Sequence, residues 1–300
     1  MSRAKNYIEL EAELVLDAKA TLGEGAIWHP AERRLYWVDI EGRKLHLFDP
    51  GTQESKTWPV GERIGTVVPV VNGGALVALQ NGVHFIDTET GKLSFITNPL
   101  GEDDIRFNDG KCDPAGRFWV GSMALDSRKG AAALYRMEHN GQMTQMLDKL
   151  SVSNGLVWTE DKKHLYFIDT PTRKVQAFAY DHETGSIRKE RDVITIPEHE
   201  GKPDGMTIDE SGRLWIALYG GGGVGCWDPE TGEMLMKVTV PAPHTTSCAF
   251  GGSRLDTLYI TTARDGLDKE QLQQYPLSGG IFAIKPDAKG VPANFFLSRL

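Results

Sequence analysis

The chain has 300 residues, of which 40% are hydrophobic and 25% are charged, and its formal net charge is -8. This composition suits a globular domain with a large core, and an acidic balance without a basic stripe argues against a nucleic-acid-binding surface. The three cysteines are scattered without a CxxC pair, which argues against a disulfide framework or a structural zinc site and favours a reducing cytoplasm.

The first predicted element is a strand at Ala12–Leu16. The residues before and around it contain no uninterrupted apolar segment and carry acidic side chains throughout, so we expect neither a signal peptide nor a membrane span there. We predict that this strand pairs with the last repeat of the chain and closes a ring of sheets, which removes exposed sheet edges.

After this strand, one pattern recurs six times. Its clearest part is a run of apolar, β-branched and aromatic residues bounded by turn residues. Marker residues in successive runs are 41, 42, 47, 49 and 44 residues apart, a period typical of propeller blades. In chain order the runs are Leu35–Asp39, Ala75–Leu79, Arg117–Gly121, His164–Ile168, Arg213–Ala217 and Thr257–Thr261.

Another short strand precedes each run and a third follows it, so each repeat reads as a meander of four strands. No helical period persists long enough to compete. The sequence therefore predicts an all-β protein, a six-bladed β-propeller of four-stranded antiparallel blades, with residues 1–300 forming a single domain. We assign Ile281–Ile284 to the last blade, together with a further strand at Asn294–Leu297.

The predicted first strands begin with polar residues in four of the six repeats. These residues are Glu24, Asn108, Asn154 and Asp204, each followed within two positions by a glycine that permits a tight turn. Because the first strand of each blade lies nearest the axis, we expect the four side chains to converge at one end of the central channel. Carboxylate and carboxamide oxygens are hard ligands suited to calcium or magnesium, and no His or Cys joins the pattern to indicate zinc.

The motifs around these positions resemble those of the SMP-30/gluconolactonase/regucalcin family over nearly the whole chain. The resemblance implies a six-bladed propeller that binds one divalent cation through Glu24, Asn154 and Asp204. We expect Ca2+ there, with Zn2+, Mg2+ or Mn2+ as alternatives. The stretches that carry the resemblance most specifically are Arg106–Lys111, Asp113–Arg117, Ser153–Leu156 and Pro203–Met206.

The resemblance also implies residues that contact a sugar. They match Arg106, Asn108 and an acidic residue shortly after Gly121–Ala124, which we place at Asp126. The expected function is that of a lactonase, a metal-dependent enzyme that hydrolyses a sugar lactone such as gluconolactone to the aldonic acid. In this hypothesis the cation polarises the carbonyl, and Asp204 takes the proton from the attacking water.

Two other functions stay open. An organophosphate or aryl-ester hydrolase would use the same cation in a more apolar pocket. A calcium-binding propeller without catalysis is the second, because fold alone does not determine function. We further expect a small-molecule sugar lactone as the partner, no nucleic-acid or membrane partner, a cytoplasmic location, and a monomer or weak homo-oligomer.

Overall fold

The computed structural model describes residues 7–299 and confirms the predicted six-bladed β-propeller. Two strands precede the first blade, β1 (Ile8–Glu11) and β2 (Glu13–Leu16). Blade 1 consists of β3 (Gly23–His29), β4 (Arg34–Asp39), β5 (Lys44–Asp49) and β6 (Glu54–Pro59). Blade 2 consists of β7 (Ile64–Pro69), β8 (Ala75–Leu79), β9 (Gly82–Ile86) and β10 (Leu93–Thr97). Blade 3 consists of β11 (Ile105–Cys112), β12 (Phe118–Ala124), β13 (Ala132–Met137) and β14 (Met143–Leu150).

The remaining blades follow the same order from the axis outward. Blade 4 consists of β15 (Ser153–Trp158), β16 (His164–Asp169), β17 (Lys174–Tyr180) and β18 (Ile187–Thr195). Blade 5 consists of β19 (Lys202–Ile208), β20 (Leu214–Tyr219), β21 (Gly223–Trp227) and β22 (Met234–Thr239). Blade 6 takes β23 (Thr245–Gly251), β24 (Thr257–Thr262) and β25 (Ile281–Ile284).

Helical structure among these residues is confined to short segments. The α-helix α1 (Lys269–Gln274) lies between β24 and β25, and single 3-10 turns occupy Thr170–Thr172 and Glu198–Glu200. The helix begins at a capping box, in which the Asp268 side chain accepts a hydrogen bond from the backbone of Gln271. None of the helices described here is long and apolar enough to cross a membrane.

Strands from both ends of the described chain meet in the last two blades. β2 pairs antiparallel with β25 and is the outer strand of blade 6. β1 pairs parallel with β22, so that blade 5 has a fifth strand that the sequence did not predict. The strand predicted at Asn294–Leu297 does not join blade 6: that prediction is wrong. Phe296 instead bridges to Val70 beside blade 2, where its buried ring joins the core between blades 2 and 3.

Buried aromatic side chains fill the space between neighbouring blades. The rings of Trp119 and Trp158 lie 5.6 Å apart between blades 3 and 4. A buried carboxylate also braces the first turn of blade 3, where Asp113 accepts hydrogen bonds from Arg117 Nε at 2.7 Å and Trp119 Nε1 at 2.9 Å. The equivalent bonds in blade 5 join Asp209, Arg213 and Trp215. The aromatic contact joins two neighbouring blades, and the aspartate bonds brace turns within single blades.

Candidate active site

All six inner strands lose their regular pairing at the same depth. In each, the register with the second strand shifts shortly after the strand begins. Asn108, Asn154 and Asp204 lie within the shifted segments, and Glu24 is the last paired residue before one of them. A β-bulge re-aims the side chains beside it. The shared bulge therefore accounts for four polar side chains at one level of the axis.

Glycines next to these residues let the inner strands approach each other closely. A Cβ atom on Gly155 would lie 2.7 Å from the backbone oxygen of Asp204, and one on Gly205 would lie 2.8 Å from Ser247 Oγ. Distances this short are not compatible with a side chain there. The glycines that follow Asn154 and Asp204 are therefore required by the narrow axis, independently of any turn.

The structure brings five of the six predicted site residues together. A cavity of about 260 Å3 opens at one end of the axis. Its lining includes Glu24, Arg106, Asn108, Asn154 and Asp204. Each of the five is nine-tenths buried or more. The convergence expected from the repeat is thus present in the fold.

Burial gives the carboxylates of this cavity unusual proton affinities. Burial raises the pKa of Asp204 to about 8, with a further contribution from the negative charge of Asp109. Burial and then the charge of Asp204 raise the pKa of Glu24 well above its ordinary value. No Lys, Arg or His forms an ion pair with Glu24 or Asp204 within residues 7–299. Two buried carboxylates without a cationic partner are costly unless a positive charge joins them.

Asn154 completes an oxygen-rich set. Its Nδ2 donates to Thr170 Oγ1 at 3.0 Å, and its buried Oδ1 has no hydrogen-bond partner. A buried acceptor of this kind ordinarily has a partner. Across the part of the chain described, His, Cys, Asp and Glu alone form no metal-holding group of three. A cation here would therefore need the amide oxygen, and two carboxylates with an amide oxygen fit a hard divalent cation.

Buried aspartates outside the cavity hold the loops that lead into the inner strands. Asp39 accepts hydrogen bonds from the backbone N–H groups of Thr21 and Leu22, both at 2.9 Å. Asp169 accepts one from Val152 at 2.8 Å. These bonds fix the chain just before Glu24 on blade 1 and just before Asn154 on blade 4.

Asn108 orients Arg106. The Nη1 of Arg106 donates to Asn108 Oδ1 and to the Phe107 backbone oxygen, both at 2.8 Å, while Asn108 Nδ2 donates to the backbone of Ser153 at 2.9 Å. Burial lowers the pKa of Arg106 to about 10, so the guanidinium remains charged at neutral pH. No carboxylate lies within ion-pair distance of Arg106 among the described residues. A positive group with unused donors therefore lines the cavity.

Asp126 is the predicted site residue that the structure does not bring to the cavity. Its side chain is 65% exposed and pairs with Arg128 Nη1 at 3.3 Å. The same arginine also pairs with Glu102 and Asp104, tying two surface loops together. A role for Asp126 in sugar binding finds no support in this geometry.

Five polar residues of the lining were not predicted as site residues: Ser127, Thr170, Lys202, Tyr219 and Asp265. Lys202 stands two positions before Asp204 on the same strand, a spacing that could have singled it out. Tyr219 stacks on His244 at 4.0 Å, and His244 Nδ1 lies 2.9 Å from the backbone oxygen of Asp265. These residues lie at strand ends or in loops, where the repeat does not predict which side chains face the axis.

Comparison with known proteins finds relatives that cover most of the chain. Residues 22–264 match the model of a family described as the SMP-30/Gluconolactonase/LRE-like region. Regucalcin of Danio rerio is 36% identical over 94% of this chain and 97% of that protein. A protein of Bacillus subtilis strain 168, provisionally named sugar lactone lactonase YvrE, is 35% identical over 94% and 97%. A solved calcium-binding protein, regucalcin, from Agrobacterium tumefaciens superposes with a TM-score of 0.92 at 26% identity, over 99% of this chain and 100% of that one.

Proposed function

The chain belongs to the SMP-30/gluconolactonase/LRE-like family, and we propose that it is a lactonase that hydrolyses a sugar lactone to the aldonic acid. The observation that carries the proposal is the charge arrangement of the axial cavity. Two buried carboxylates and an amide oxygen without a partner lie beside a guanidinium with unused donors. The provisional name of the Bacillus relative gives the proposal its substrate class.

The residues that would hold a divalent cation are Glu24, Asn154 through Oδ1, and Asp204. An oxygen-only set of this kind favours Ca2+, and it also admits Mg2+, Mn2+ or Zn2+. When bound, the cation supplies Lewis-acid polarisation of the lactone carbonyl. The names of the regucalcin relatives agree with calcium as the first ion to test.

The chain's own polar groups divide the remaining work. Asp204 would accept the proton of the water that attacks the lactone, since a carboxylate keeps a free lone pair for this purpose. Arg106 would donate hydrogen bonds to the lactone and then to the carboxylate of the product. Asn108 would act chiefly by positioning Arg106, because its amide oxygen and its amide nitrogen both already form hydrogen bonds within the protein.

The lining favours a polyol over an aryl ester or an organophosphate. Ser127 and Thr170 add hydroxyl groups to the lining beside Arg106. A pocket for an aryl leaving group would be lined mainly by apolar side chains. A hydroxylated ring uses such polar groups better.

The three cysteines are buried and unpaired. Free thiols of this kind fit a reducing compartment, so we extend the proposal to a cytoplasmic location.

A lactone panel tests the proposed function. Chelated protein is assayed in a pH-stat on aldonolactones, an organophosphate and an aryl ester, with Ca2+, Zn2+, Mg2+ or Mn2+ added separately. We expect lactone turnover that requires a cation and falls about a hundredfold or more in Glu24→Gln. The exposed surface substitution Glu89→Gln is the matched control and should leave the rate unchanged.

Two results would overturn the assignment. One is full lactonase activity in the chelated protein or in Glu24→Gln. The other is tight calcium binding without turnover of any lactone, which would favour the calcium-binding propeller instead.

A further inference from the structure

The rim of the cavity carries an ammonium group that the proposed reaction does not use. Lys202 is exposed, begins β19 and lines the same cavity as Asp204. Its side chain forms no hydrogen bond or ion pair with any residue in the described range 7–299. In the proposed reaction Arg106 binds the carboxylate of the product. The Lys202 ammonium then has no anionic group to bind on a neutral lactone or its product.

A hydroxyl donor lies beside this ammonium. Lys202 and Tyr219 are direct cross-strand partners in the ladder between β19 and β20. Side chains at such positions are neighbours, with Cβ atoms about 5 Å apart. The Tyr219 hydroxyl is 3.4 Å from the backbone oxygen of Asp265, a long contact that leaves it free to donate elsewhere.

The Tyr219 ring is fixed by a contact with His244. Its ring stacks on His244 with an interplanar angle of 16°, and His244 is itself bonded to the backbone of Asp265. A donor on a fixed ring loses little conformational freedom when it binds a ligand. An ammonium and a fixed phenol side by side are suited to a carboxylate or phosphate oxygen.

We propose that the site takes lactones carrying an anionic group away from the reacting ester, which Lys202 and Tyr219 bind at the rim. The inference rests on the proposed lactonase function and narrows its substrate class. The shared chemistry is a sugar lactone with a carboxylate or a phosphate away from the reacting ester. The cavity of about 260 Å3 suits one sugar unit.

Asp265 lines the same rim and opposes such an anion. It forms no side-chain ion pair with Lys202 in this part of the structure. The negative charge of Asp265 therefore weakens the binding of an anionic lactone at the rim. We expect Asp265→Asn to raise the preference for anionic lactones.

The test compares three lactones that share one six-membered ring: glucono-1,5-lactone, glucaro-1,5-lactone and 6-phosphoglucono-1,5-lactone. They separate a neutral substrate, a carboxylate and a phosphate. The proteins are the wild type, Lys202→Met, Tyr219→Phe and the control Lys289→Met, an exposed lysine lining a different surface pocket.

We expect the wild type to prefer one anionic lactone. Lys202→Met should lower kcat/KM for that substrate about tenfold, the effect of one charged hydrogen bond, and change the neutral rate less than about twofold. Tyr219→Phe should act in the same direction, and added salt should reduce the preference of the wild type alone. Lys289→Met should change nothing.

Equal losses on neutral and anionic lactones in Lys202→Met, or no preference in the wild type, would overturn the inference and leave the lactonase proposal standing. If no lactone is hydrolysed, the lactonase proposal fails. Calorimetry with glucarate then decides the rim site separately: binding that Lys202→Met abolishes supports it, and binding that is absent or unaffected refutes it.

Discussion

Asp204→Asn should make the cation-free protein more stable while it abolishes activity. The pKa of Asp204 is raised to about 8 from an ordinary 3.8, by burial first and then by the charge of Asp109. The folded protein thus binds this proton more tightly than the unfolded chain. The free energy of unfolding must therefore fall as the pH rises from about 4 to about 8.

The size of this effect follows from the same shift. Within that window the free energy of unfolding falls by at most about 1.4 kcal/mol for each pH unit. The loss reaches about 4 kcal/mol at pH 7. Asparagine removes the ionisation but still buries a polar group. Glu24 keeps a raised pKa of its own, so the variant should lose part of the pH dependence and not all of it.

Urea unfolding with a chelator at about pH 5, 7 and 8.5 measures this prediction. The wild type should weaken across the series more than Asp204→Asn, and calcium should stabilise the wild type far more than the variant. Asp209→Asn, five positions along the same chain segment, is the control. Asp209 bonds Arg213 and Trp215, so its loss should destabilise the fold by about 2 kcal/mol at every pH. A wild type whose stability does not decline with pH in chelator would refute the reasoning.

Three further predictions concern single side chains. Asp126→Ala should change kcat/KM less than about twofold, because exposed ion pairs contribute little, and a loss above about tenfold would return Asp126 to the substrate site. Arg106→Lys should lower kcat/KM about tenfold or more, because an ammonium cannot reproduce the fork of a guanidinium; an unchanged rate would remove Arg106 from lactone binding. Gly155→Ala should lower stability by about 2 kcal/mol or more in thermal melts, since its Cβ would meet the backbone of Asp204, and a neutral effect would contradict the close packing of the axis.

The blades were predictable because each repeat carries its own strand and turn signals. The exceptions are segments whose partners are distant in sequence. β1 adds to blade 5 by backbone pairing with β22. Backbone pairing of this kind leaves no pattern in the local sequence that would predict it. Phe296 belongs to the core of other blades, and an apolar run near a chain end does not reveal which sheet it will cover.

The candidate site was predictable for residues that occupy the same position in successive repeats. Glu24, Asn154 and Asp204 occupy equivalent places at six-fold related bulges, so their convergence follows from spacing. Asp126 was assigned from a motif in a loop, and in the structure its side chain is exposed and pairs with Arg128. Tyr219 was missed because its place in the cavity depends on the stack with His244, a contact between blades that spacing does not express.

The pairing of β2 with β25 has a consequence for synthesis on the ribosome. Glu13 lies opposite Ala283, so β2 emerges early and must wait for nearly the whole chain before its partner exists. Blades 1 to 4 can form from contiguous sequence as translation proceeds, since domains and sheets fold once their strands are available. During that interval the apolar residues of β2 are an unpaired strand, open to chaperones or to a neighbouring nascent chain. The ring therefore cannot close before β25 has been synthesised.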